Sequence, residues 1–245
     1  MKKEIFSIRE NVPIADGVYR MRLAGDTSEI TAPGQFVNIK LDRLYLRRPI
    51  SVCDIDAGEL CLVYKAVGRG TEQMSRMGEG ELLDILTGLG NGYSTDAAGE
   101  SPLLVGGGVG VPPLYYLARR LIAEGKHPTA VLGFGRAADV ILEDELRALG
   151  VPVYVATLDG SRGVRGTVID AIRENGISYD YTYSCGPEPM LRTLWEYSET
   201  DGQFSFERRM GCGFGGCMGC TCKTKYGAKR ICKEGPVLTR EEIIW

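Results

Sequence analysis

The sequence predicts a mixed fold: an antiparallel β-barrel, then an α/β domain on a parallel sheet, then a small C-terminal module organised by cysteines. Three observations predict it. Residues 1–97 carry short, partly alternating apolar runs with little helical signal. From residue 98 onward apolar runs alternate with helical patterns. Five of the eight cysteines lie at or beyond residue 212. The expected division is 1–97, 98–200 and 201–245.

In the first part, EIFSIREN, GVYRMRLAG, GQFVNIKLD, ISVCDID, ELCLVYKAV and ELLDIL are candidate strands. Pro13, Gly17, Gly25 and Pro33-Gly34 break them. Six short strands with period-two patterning suit a small closed barrel. GTEQMSRM, Gly70–Met77, is the one helical turn expected inside it.

DAAGESP, at 96–102, is small, polar and Gly/Pro-bearing, as a linker is. PLLVGGG then reads as a buried strand entering a glycine turn. PLYYLARRLIAEG is a helix with Leu114, Leu117, Ala118, Leu121 and Ile122 on one face. TAVLGFG, PVYVATLDG and YDYTYSCG read as strands. DVILEDELRALG (139–150), GTVIDAIREN and PEPMLRTLWEYS read as helices. Strand–helix alternation at this spacing means βαβ units and a parallel sheet. The stretch from residue 201 has few apolar residues, so it is expected to need a bound metal centre for stability.

Composition removes several function classes. With 44% hydrophobic and 25% charged residues the chain is globular. The single histidine, His127, excludes a two-histidine zinc finger and a Rieske centre. His127 follows Gly125 between a helix and a strand and reads as a surface residue. No 18-residue apolar run is present, so no membrane span is expected. MKKEIFSIREN lacks an apolar core for a secretory signal. A cytoplasmic location follows, where clustered cysteines mean metal or redox work rather than disulfides. The net charge of −3 gives no sign of a nucleic-acid partner.

Cys212, Cys217 and Cys220 form C-x4-C-x2-C, and Cys232 follows. The first three match plant-type [2Fe–2S] spacing. Gly211, Gly213, Gly215, Gly216 and Gly219 let a loop wrap a small anionic cluster and aim N–H groups at its sulfurs. The main rival is a four-cysteine zinc site. A zinc ribbon wants two C-x2-C knuckles, and only Cys217/Cys220 supplies one. Cys222 lies too close to Cys220 to span a tetrahedral iron with it and reads as a bystander.

Two glycine turns follow strand ends. Gly106-Gly107-Gly108-Val109-Gly110 opens a helix at Pro112-Pro113, giving G-x-G-x-x-P from Gly108 and Gly110. Such a turn is an anion cradle because helix N-terminal N–H groups are unpaired; a purely structural turn is the alternative. Cys185-Gly186-Pro187 is the second turn. In open α/β sheets ligands bind at the carboxyl ends of strands. Cys185 is either a plain buried thiol or a nicotinamide-facing residue, and its place beside the turn favours the second. The loop from Asp159 to Gly166 suits either a nucleotide contact or a plain turn.

In the barrel, Arg47-Arg48-Pro49-Ile50-Ser51 joins two strands. Arginine suits a pyrophosphate and a serine hydroxyl suits a ring edge. Gly70-Thr71 offers a second phosphate turn. R-x-x-S, G-x-G-x-x-P and C-G-P, in that order, resemble the ferredoxin–NADP reductase superfamily. FERRMGCGFGGCMGCTCKT and KRICKEGPVL resemble the electron-transfer subunits of two-subunit, NAD-dependent bacterial dihydroorotate dehydrogenases. The resemblance spans the whole chain.

The resemblance implies an FAD-binding barrel and an NAD-binding α/β domain. It implies FAD contacts at Arg48, Pro49, Ile50, Ser51, Val63, Tyr64, Lys65, Gly70 and Thr71. NAD as acceptor would meet Gly108, Gly110, Cys185 and Gly186. Cys212, Cys217, Cys220 and Cys232 would hold the [2Fe–2S] cluster. The implied partner is an FMN-containing catalytic subunit in a heterotetramer. A ferredoxin- or sulfide-linked NAD(P)H oxidoreductase subunit shares this architecture, and a zinc-bearing interaction module is the non-enzyme alternative. Where the superfamily often has Tyr between Arg and Ser, this chain has Pro49-Ile50. Arg136 is positioned to meet a 2′-phosphate, so NAD against NADP stays open.

Overall fold

The computed structural model describes all 245 residues. Its first six strands are β1 (Lys2–Ala15), β2 (Val18–Ala24), β3 (Phe36–Ile39), β4 (Arg48–Asp56), β5 (Glu59–Lys65) and β6 (Leu82–Leu89). They close into a barrel in the order β1-β2-β5-β4-β3-β6, with every pairing antiparallel. Alternation makes the inside: Leu83 and Ile85 of β6 are buried in the barrel core between more exposed neighbours. The β4–β5 hairpin turns at Ala57-Gly58, both at positive φ, the twist a two-residue hairpin needs. A short helix, α1 (Arg69–Met74), closes one end and sends Met74 into the barrel core. Asn11 Nδ2 donates to the Met74 and Met77 carbonyls, satisfying groups the helix end leaves open.

The second half alternates β7 (Leu103–Gly107), α2 (Val111–Ala123), β8 (Thr129–Phe134), α3 (Glu143–Ala148), β9 (Val153–Thr157), β10 (Val164–Arg165), α4 (Val168–Glu174), β11 (Thr182–Cys185) and α5 (Glu188–Tyr197). Then come β12 (Gly202–Ser205), β13 (Thr221–Thr224), β14 (Gly227–Arg230) and β15 (Val237–Thr239). One sheet runs β10-β9-β8-β7-β11-β12-β15, parallel except for β15. From β7 the chain builds outward through β8, then returns to place β11 on the other side. The β7/β11 boundary is therefore the switch point where such sheets bind ligands.

Two expectations need correction. The helix expected over 139–150 begins only at Glu143. Val140 is extended and Leu142 is left-handed at φ 58°. The β-branched pair Val140-Ile141 favours extended backbone, and Ile141 and Leu142 are anchored in the core instead. The stretch from 201 is also less polar in effect than its composition suggests. Phe204, Phe206, Ile231, Leu238 and Ile243 are buried with Leu191 and Leu194 of α5. Strands β12 and β15 are hydrogen-bonded into the large sheet, so the cysteine-bearing segment leaves that sheet and returns to it.

Candidate functional site

Cys212, Cys217 and Cys220 lie on an irregular loop between β12 and β13. Positive φ at Gly213 (80°) and Gly215 (91°) lets the loop curl inward. Its N–H groups then point at sulfur. Cys212 Sγ accepts from Gly216 N at 3.2 Å and Cys217 N at 3.4 Å. Cys217 Sγ accepts from Cys212 N, and Cys220 Sγ from Cys232 N, each at 3.4 Å. Burial pushes the Cys212 thiol up, but N–H groups of Phe214, Cys217 and Gly216 outweigh it and hold the group at about 6. Cys232 is pushed up to about 12 by burial and by its bond with the Cys220 thiol.

These sulfurs associate as two pairs, Cys212 with Cys217 and Cys220 with Cys232. No three His, Cys, Asp or Glu side chains converge as a ready single-ion site. Two pairs, with three sulfurs on this loop and Cys232 just beyond β14, and with N–H donors aimed at the loop sulfurs, fit a binuclear iron–sulfur group. Cys220 and Cys232 are each 2% exposed, whereas Cys217 faces solvent. Arg230 braces the loop by donating to the Gly215 carbonyl at 2.7 Å. Glu234 holds Arg230 in turn, and that bond draws its carboxyl down to about 2. Cys222 lies in β13 opposite Lys229 and packs on the apolar core.

In the barrel the two arginines separate. Arg47 is structural: it pairs with Asp84 at 2.8 Å and donates to the Asp84 and Asn38 carbonyls. Arg48 bonds only the nearby Leu46 carbonyl, leaving most of its guanidinium for a ligand. It lies against Gly70, where an added Cβ would sit 2.2 Å from Arg48 Nε. Arg48 and the Gly70-Thr71 turn are thus brought together. Thr71 Oγ1 accepts from Val67 N at 3.0 Å and donates to the Gly68 carbonyl at 3.2 Å, closing that turn. Pro49, Ile50 and Ser51 continue β4 opposite Asn38, Val37 and Phe36 and are half-buried.

The triplet in β5 is split by its alternation. Tyr64 points into the barrel core, stacks on Tyr19 at 5.8 Å, and donates to Asn11 Oδ1 at 3.0 Å. Burial raises its phenol well above the ordinary range. Val63 faces the cluster between barrel and sheet, and Lys65 is exposed.

The two glycine turns interlock at the switch point. Gly106 and Cys185 are register partners in β7 and β11. A Cβ on Gly110 would lie 2.3 Å from the Cys185 carbonyl oxygen. One on Gly186 would lie 2.7 Å from Met190 Cε and 3.0 Å from Gly107 N. Gly108 sits at φ 53°. Only glycine lets these backbones approach so closely. Burial pushes the Cys185 thiol up to about 12, so it is neutral at physiological pH. Arg136 is engaged with Asp16 at 2.8 Å and Asp139 at 3.4 Å. In the third loop Asp159 accepts from Ser161, whose Oγ accepts from Ala137 N. His127 is exposed.

Sequence reasoning missed Asn38. It is 1% exposed, and its Nδ2 donates to the Cys212 carbonyl at 3.2 Å. A Cβ on Gly213 would lie 2.2 Å from that Nδ2. Its Oδ1 is buried without a partner. Asn38 faces Pro49 across the barrel strands, so one side chain links the Arg48–Ser51 strand pair to the cysteine loop. The signal available was a lone amide inside the apolar run FVNI. Asn91 makes a second link, exchanging bonds with Val237 just beyond Cys232.

Residues 207–244 match a family described as the iron-sulfur cluster binding domain of dihydroorotate dehydrogenase B. Over its whole length the chain is 44% identical to a protein of Geobacillus sp. (strain WCH70), covering 99% of it. It is 43% identical to one of Bacillus pumilus, covering 99% of this chain and 98% of that one. Both relatives are named dihydroorotate dehydrogenase B (NAD(+)), electron transfer subunit. Among solved structures, an NADH-dependent reduced ferredoxin-NADP oxidoreductase superposes with a TM-score of 0.89 at 30% identity, over 98% of this chain and 90% of the other. A cytochrome P450 reductase of Amycolatopsis shares the fold, with a TM-score of 0.69 at 19% identity over 78% and 64%. This chain belongs to the family of dihydroorotate dehydrogenase B (NAD(+)) electron transfer subunits.

Proposed function

We propose that this chain carries electrons from a dihydroorotate-oxidising, FMN-containing catalytic subunit to NAD⁺, in the cytoplasmic synthesis of pyrimidines. Bound FAD supplies the junction between hydride transfer with NAD⁺ and one-electron transfer with a [2Fe–2S] cluster. The carrying observation is the Asn38–Cys212 bond, which ties the barrel strand bearing the Arg48–Ser51 motif to the cysteine loop.

The residues divide the work. Arg48, resting on Gly70, offers its guanidinium to the FAD pyrophosphate, and Ser51 its hydroxyl to the flavin edge. Pro49 and Ile50 shape the ring's resting place, where no tyrosine follows the arginine. Val63 and Lys65 border it through β5; Tyr64 supports the strand from inside. Cys212, Cys217, Cys220 and Cys232 would hold the cluster, which would supply one-electron transfer. Gly108, Gly110 and Gly186 admit the NAD backbone to the switch point, and neutral Cys185 gives the nicotinamide an uncharged neighbour. No general base is required of this chain. It has no helix long and apolar enough to cross a membrane.

The likeness to the ferredoxin-NADP oxidoreductase supports a second reading, a ferredoxin-linked subunit of the same architecture. The full-length identity to the dehydrogenase subunits favours the first. Co-expression with a dihydroorotate-oxidising subunit decides between them. The first reading expects a stable heterotetramer, visible flavin and iron–sulfur absorption, and NADH formation from dihydroorotate that requires this chain. NADH formation without this chain, or a colourless zinc protein, would end it.

A further inference from the structure

The barrel face turned toward the α/β domain carries two further cysteines. Cys53 lies in β4 at the bulge where pairing steps from Val52↔Leu62 to Asp54↔Cys61. Both cysteines point outward into the apolar cluster between the barrel and α2. Cys53 is 2% exposed and Cys61 is half-buried. A cavity of about 80 Å³ opens over them, lined also by Arg20, Arg22, Asp54 and Tyr115. The two thiols are close enough to shift each other's acidity. None of these groups belongs to the cofactor machinery described above.

At such a bulge two residues of one strand oppose one on its partner, so Cys53 shares the place opposite Cys61 with Asp54, and both cysteines line one cavity. The two sulfurs are also unequal. The Cys53 thiol holds the Cys61 thiol below its ordinary value, with help from Arg22 and Arg20 and against burial and Asp54. Cys53 itself is driven up by Cys61 and by burial. The thiolate is the reactive form of cysteine. Cys61, which opens to the cavity, is placed to attack, and Cys53 to keep its proton until a second step.

We propose that Cys53 and Cys61 form a peroxide-sensitive dithiol site, with Cys61 the attacking and Cys53 the resolving sulfur. In the first step the Cys61 thiolate attacks one oxygen of hydrogen peroxide. An S–O bond forms, the O–O bond breaks, and hydroxide leaves to become water with the proton Cys61 released. In the second step Cys53 sulfur attacks the Cys61 sulfenic acid. The S–S bond forms, the S–O bond breaks, and the departing hydroxide takes the Cys53 proton. Two thiols are oxidised by two electrons and one peroxide is reduced to two waters. The resulting link would staple β4 to β5 beside Asp54, whose bridge to Arg119 at 2.5 Å seats α2 on the barrel.

The test uses the intact two-subunit complex, prepared without air and treated with stoichiometric hydrogen peroxide. Free thiols are then blocked by alkylation, and peptides are mapped by mass. The expected product is a peptide pair joined through Cys53 and Cys61, two hydrogens lighter and released by dithiothreitol. In Cys53→Ala, dimedone should trap a sulfenic acid on Cys61; in Cys61→Ala, Cys53 should stay unmodified. Full alkylation of both cysteines at a dose that already bleaches the cluster would overturn the proposal. So would dimedone on Cys53 in place of Cys61. The map of the unsubstituted complex decides even if a variant fails to fold.

Discussion

The turn at Gly106–Gly110 and the loop at Gly211–Gly219 are both glycine-rich, but glycine serves different ends in them. In the first, sheet register sets the geometry: β7 and β11 are hydrogen-bonded neighbours, and glycine lets their following turns touch. Its decisive position, Gly110, has an ordinary negative φ and is needed for space. In the second, no strand or helix fixes the backbone. Gly213 and Gly215 are needed for positive φ, and the shape is held by sulfur–amide bonds and by outside braces at Asn38 and Arg230. The Gly106–Gly110 turn is thus built by the sheet itself, whereas the cysteine loop rests on its own sulfur–amide bonds and on two side chains from outside it.

Substitutions can break this contrast, and the largest effect is expected at the loop. Cys232→Ser should abolish normal cluster content while FAD is retained, read from iron analysis and the visible spectrum. Normal iron with an unchanged spectrum would transfer the ligand role to Cys222. Gly110→Ala forces a Cβ to 2.3 Å from a carbonyl oxygen. Overpacking of this kind costs about 1–3 kcal/mol, and NADH affinity should fall at least about tenfold with iron unchanged. Calorimetry and NADH titration check both. Arg48→Ala should weaken FAD retention by about tenfold, seen as flavin lost on dilution, and leave iron in place. Unchanged flavin content would remove Arg48 from the site.

Smaller effects concern the braces. Asn38→Ala removes one hydrogen bond to the Cys212 carbonyl, worth about 1 kcal/mol. It should quicken iron loss to a chelator about fivefold without releasing FAD; an unchanged rate would show that the loop does not lean on the barrel. Glu234 is depressed to about 2 by Arg230, so its support is full above the ordinary glutamate range and disappears as pH falls toward 2. The bridge is partly exposed, so Glu234→Gln should cost only about 0.2–1 kcal/mol. In thermal melts the gap from the parent should be open at pH 6 and narrow below about pH 4.5. A gap independent of pH would mean that packing, not charge, carries the brace.

Much of the architecture was legible because its signals are local. Alternation and Gly/Pro breaks expose barrel strands, and the strand–helix rhythm exposes the parallel sheet. What stayed hidden depends on distant partners. Strands β12 and β15 have four and three residues, too short for periodicity, and exist because the sheet edge receives them. The inward face of Tyr64 follows from β5 register rather than from its neighbours in sequence. Asn38 reads as an ordinary strand residue until a loop 174 positions away is folded onto it. Cys53 and Cys61 look scattered in the sequence, and only the bulge between β4 and β5 brings them to one cavity.

The central claim is that electrons reach NAD⁺ through the cysteine loop and the barrel of this chain. Steady-state assay of the two-subunit complex carrying Cys232→Ser tests it most directly. The account predicts that dihydroorotate oxidation with an artificial dye acceptor persists on the catalytic subunit. It also predicts that NADH oxidation with the dye persists on this chain, while NADH formation from dihydroorotate is lost. Undiminished NADH formation in a complex shown to lack the cluster would contradict it.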